Sequence, residues 1–143
     1  MKHKFKSIIA LLLLSVSAFS ETANQESFKS SLIEAIKKND TSIMMSITCK
    51  EGVTPDWEKI IVAGYNNLLP ILQKNGNPTI EFTAFSGPTP DPIKYQDKML
   101  VPNIPVTIIC TVTFANDPDK ASKTEFRLGE KNGTLLISGL VPK

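Results

Sequence analysis

Few side chains in this sequence have both the type and the spacing to do chemistry. The single histidine is His3, and it sits in a basic, apolar leader, so a histidine-based triad or dyad leaves with that leader. Two cysteines remain, Cys49 and Cys110. Without a histidine to join them they fall short of the four ligands of a structural zinc site. Outside the cytoplasm they can bridge, which on the chain-entropy model is worth about 4 kcal/mol for a loop of this size. They can equally stay as two buried thiols, and the spacing leaves both outcomes open. Glu81 is the carboxylate best placed for general-base work if desolvated, as in small isomerases or dehydratases. On the polar side of a strand it is otherwise a solvent-facing acid. Trp57 and Tyr65 lie on one helix, where they read either as an aromatic ligand platform or as core. The candidate ligand contacts are therefore Trp57, Tyr65 and Glu81, and the candidate disulfide is Cys49 with Cys110. No catalytic set, metal site or cofactor site is expected.

The remaining motifs have plainer explanations. Gly129-Glu130-Lys131-Asn132-Gly133-Thr134 holds two glycines and a lysine, but it has the form of a hairpin and lacks the spacing of a phosphate loop. Asp117-Pro118-Asp119 lacks the alternating oxygen ligands and the glycine of a calcium loop, and reads as a turn. Asn39-Asp40-Thr41 and Asn132-Gly133-Thr134 match the glycosylation pattern, yet helix capping and hairpin turning account for both.

The leader itself bears on the working environment. Lys2, Lys4 and Lys6 precede the apolar run Ile8–Leu14, and Val16-Ser17-Ala18-Phe19-Ser20 supplies small residues for a peptidase. Residues 1–20 are thus expected to be a secretory signal peptide, cut after Ala18 or Ser20. The apolar stretch falls short of the ~20 residues that span a bilayer. The expected setting is periplasmic or extracellular, with no membrane span after cleavage. Losing three lysines turns the formal charge of +2 into −1. A nearly neutral domain without a basic run has no electrostatic footprint for nucleic acid.

Residues 21–25 then read as a flexible lead and 26–143 as one domain, within the size of a single core. From Ser27, Phe28, Leu32, Ala35 and Ile36 recur at helical spacing, and Asp40 can cap a short second helix carrying Ile43, Met44 and Ile47. Thr54, Pro55, Asp56 and Glu58 open a third helix with the stripe Trp57, Ile60, Ile61, Gly64, Leu68, Leu72. Pro70 is expected to kink or end it near residues 66–69. From Thr79 the pattern alternates. Ile80, Phe82 and Ala84 share one face of a first strand, and three prolines within Ser86–Pro92 then forbid a central strand. A short strand is expected near 96–101, the strongest at Val106–Phe114, another at Thr124–Gly129, and the last at Leu135–Val141. The Asn132-Gly133 turn joins the final pair. The expected class is α+β, with N-terminal helices packed on a curved antiparallel sheet of four to five strands.

Helices followed by an antiparallel meander, with the lead Lys37-Lys38-Asn39-Asp40-Thr41-Ser42-Ile43-Met44, resemble the nuclear-transport-factor-2-like and cystatin-like α+β domains. The resemblance implies a cone of sheet and helices around a pocket. One departure is the proline-rich loop, with no clear helix between the first strand and the rest. Fold likeness alone does not assign function. The expectation is a non-enzymatic exported domain binding a small ligand or a protein, or pairing as a homodimer through the threonine face of the central strand. The alternative is a small carboxylate-dependent isomerase or dehydratase with a pocket between sheet and helices.

Overall fold

The computed structural model describes residues 22–143 apart from 89, 90 and 118; the expected signal peptide lies outside these. The first helix, α1, runs Ala23–Lys38. It starts earlier than the periodicity suggests, because Thr22 and Gln25 form a capping box in which each side chain bonds the other's backbone N–H. Within the stretch that reads as a flexible lead, Thr22 is therefore the cap and Ala23–Gln25 belong to the first turn. Asn39 closes α1 in the left-handed conformation, and Asp40 caps α2, Thr41–Ser46.

The third helix, α3, spans Pro55–Gln73. Thr54 caps it, and Pro55 occupies a position where a missing N–H costs nothing. Pro70 does not end it. Leu69 and Leu72 on either side are both 0 % exposed, and burying two leucines, at roughly 2 kcal/mol each, offsets the ~3 kcal/mol penalty of an internal proline.

Among the described residues seven strands follow, β1 Pro78–Ala84, β2 Ile93–Tyr95, β3 Lys98–Pro102, β4 Ile108–Phe114, β5 Thr124–Lys131, β6 Thr134–Ile137 and β7 Leu140–Pro142. They form two antiparallel sheets, not one. The larger has the order β1-β4-β5-β6 and the smaller β2-β3-β7. The β5–β6 hairpin turns at Asn132 and Gly133, both with positive φ, as a two-residue loop requires. The expected last strand is broken at Ser138-Gly139, so that β6 belongs to the larger sheet and β7 to the smaller.

Two clusters fill the interior. Ile80, Cys110, Val112, Phe126 and Leu128 on the inner face of the larger sheet meet Leu32, Ile36, Met44 and Leu69 from the helices. A second cluster joins Trp57 of α3 to Leu100 and Val141 of the smaller sheet. The class is α+β, with helices preceding the sheets.

Cys49 and Cys110 are buried thiols with no disulfide between them. Strand order explains this. Cys49 N–H donates to Ile137 O at 2.9 Å, beyond the β6 edge, while Cys110 lies on β4. Two strands intervene, so the cysteines are about three strand spacings, roughly 14 Å, apart, and a bridge needs their Cα atoms within about 7 Å. Alkylation followed by intact mass should add two labels after denaturation and almost none to the native protein. A two-hydrogen deficit with no labelling would contradict this strand order.

Candidate functional site

An open groove of about 370 Å³ lies between α3 and the smaller sheet. Helical periodicity brings Trp57, Ile60, Gly64, Tyr65 and Leu68 to one wall, and the sheet supplies Tyr95, Leu100 and Leu140 as the other. From Ile60 to Leu68 the helix advances about 12 Å. No lining residue is charged. The volume falls within the range of small-molecule sites.

Trp57, Thr48 and Tyr65 each have their polar atoms engaged. The Trp57 indole N–H donates to Leu140 O at 2.6 Å, and its ring meets Tyr95 edge-on with centroids 5.7 Å apart. Thr48, 5 % exposed, donates its hydroxyl proton to Met44 O at 2.7 Å. Its oxygen lies 2.7 Å from the Tyr65 hydroxyl. With Thr48's proton committed to Met44, Tyr65 must be the donor of that bond. Burial pushes the Tyr65 phenol above its ordinary value, against a smaller opposing effect of the Thr48 bond, so the phenol stays protonated at neutral pH. These groups set the shape of the wall.

Gly64 gives the groove its depth. It is exposed in mid-helix, and a Cβ built there meets nothing within 4 Å. No close packing calls for this glycine, although glycine costs a helix about 1 kcal/mol relative to alanine.

The structure thus brings Trp57 and Tyr65 together and leaves Glu81 elsewhere. Glu81 is exposed on β1, facing Thr111 across the β1–β4 pair, and does not line the groove. Among the described residues no Asp or Glu is buried, which leaves the isomerase-like alternative without its desolvated acid. No group of three or more His, Cys, Asp or Glu among the described residues could hold a metal. No helix among them is long and apolar enough to cross a membrane.

Sequence reasoning missed Tyr95, Leu100 and Asn103. The first two reach the groove through the β2–β3 hairpin and the long-range pairing of β3 with β7. Ile93-Lys94-Tyr95 alternates, the one signal available, but the prolines before it hide a strand. Asn103 fastens the neighbouring turns. Its Nδ2 donates to Cys49 O at 2.8 Å and Glu51 O at 3.1 Å, and its Oδ1 accepts from Gly139 N–H at 2.9 Å. A smaller hollow, about 260 Å³, lies between Phe85, Gly87 and residues 102–106, where the proline-rich loop begins.

No protein-family model, curated protein or solved structure matches this chain. The groove itself is what the functional reading stands on.

Proposed function

We propose that this chain is an exported, non-enzymatic binding domain whose groove between α3 and the smaller sheet takes an apolar small molecule. The observation that carries the reading is the groove wall: an uncharged, aromatic-rich lining in which the Trp57 indole and the Tyr65 hydroxyl are already hydrogen-bonded within the protein, which suits burial of apolar surface. Export rests on the basic and apolar leader Met1–Ser20. Kinship with nuclear-transport-factor-2-like or cystatin-like domains is part of the same proposal, supported by helices preceding an antiparallel sheet. The smaller sheet, β2-β3-β7, forms the groove's second wall.

The test is binding of the neutral fluorophore N-phenyl-1-naphthylamine to the mature domain. Saturable enhancement is expected, with affinity at least tenfold weaker in Gly64→Leu, whose side chain enters the groove. Because the new Cβ meets no atom and leucine suits a helix, thermal stability should hold or rise. Undiminished binding by a folded Gly64→Leu would remove the groove from consideration.

A further inference from the structure

Cross-strand pairing places one cation on the groove's own face. Tyr95 pairs with Lys98 and Ile93 with Leu100 in the β2–β3 ladder, and directly opposed residues project to the same side of a sheet. Tyr95 and Leu100 both line the groove, so Lys98 stands on that side too, at the outer end of β3. It is exposed, and its ammonium has no ion pair among the described residues. Lys94, between Ile93 and Tyr95, projects to the opposite face. Asp97 lies in the β2–β3 turn, and Lys98, next to the lining residue Tyr95 but outside the lining itself, stands at the rim.

An uncharged trough roughly 12 Å long, deepened where Gly64 lacks a side chain and with Lys98 on the face of its sheet wall, has the polarity of a single-chain amphiphile. We propose that the groove binds an unbranched aliphatic carboxylate, a fatty acid, with its tail along Ile60, Gly64 and Leu68 and its carboxylate at Lys98. The tail takes its free energy from the area it buries. The headgroup contact sets the direction of entry and discriminates against uncharged molecules of equal length, as a charge-assisted bond does. This proposal rests on the groove reading above and names its ligand class.

Displacement of the neutral fluorophore by decanoate and by decan-1-ol, at low ionic strength and below aggregation, tests it in the wild-type domain and in Lys98→Gln. Lys98 is exposed and unpaired, so the variant should fold as the wild type does. Decanoate is expected to bind the wild type about fivefold more tightly than decanol, the scale of one partly exposed ion pair. That preference should vanish in Lys98→Gln and shrink as salt is raised. Equal binding of acid and alcohol by the wild type, or a preference that survives Lys98→Gln, would overturn the fatty-acid assignment while leaving the groove standing. A fluorophore that fails to bind at all would instead remove the groove, and a concentration-dependent dimer lost in Gly64→Leu would assign the trough to a second copy of the chain. Both of those results also defeat the proposal.

Discussion

Gly129→Ala should destabilise the domain by about 3 kcal/mol or more, the upper range for forcing an extra carbon into a packed site. A Cβ on Gly129 would run into Pro105 O and lie 3.1 Å from Ile104 Cδ1. The first obstacle is backbone, and it cannot turn aside as a side chain can. The connection from β3 to β4 crosses β5 here and is tied to it, since Thr107 N–H donates to Leu128 O at 2.9 Å. Relief would require lifting the whole crossing segment, which would take the buried Ile104 with it. Urea unfolding of the two proteins measures the difference. A midpoint shift worth less than about 1 kcal/mol would mean that the crossing segment moves freely, contrary to the packing described.

The second large effect is expected at Asn103. Truncation to alanine removes three hydrogen bonds at once, and at about 1 kcal/mol each the loss should approach 3 kcal/mol. The Cys49 carbonyl belongs to a buried residue, so part of the cost is leaving it unsatisfied. Asn103→Asp separates the contributions. The carboxylate can still accept from the Gly139 N–H but cannot donate to Cys49 or Glu51. It should therefore destabilise through those two carbonyls, against which its negative charge would sit. If Asn103→Ala unfolds within experimental error of the wild type, the turns it joins are held by something else.

These two positions also mark where sequence reasoning stops. The helices are legible because their signals are local: the stripe of Phe28, Leu32 and Ile36, the Asp40 cap, and the Thr54-Pro55 start are each read within one or two turns. The pairing of Trp57 with Tyr65 follows from the same periodicity. β4 and the Asn132-Gly133 hairpin are legible for a like reason, alternation and turn chemistry being short-range. The division into two sheets is not. Leu135–Val141 reads as one strand, and its break at Ser138-Gly139 depends on Asn103, which is distant in sequence. The position of Lys98 on the groove face depends on the β2–β3 register, and prolines obscure that strand. The cysteine pairing was undecidable for a related reason, because strand order in space governs it. Pro70 misled in the opposite direction, since a local rule yielded to the burial of Leu69 and Leu72.

The chain contains one tryptophan, and it is a wall of the groove. Indole emission from the native protein therefore has a single origin, a ring 7 % exposed, anchored to Leu140 O and edge-on to Tyr95. The domain thus carries its own optical reporter, placed where a guest would enter, and unlabelled protein is sufficient to follow occupancy.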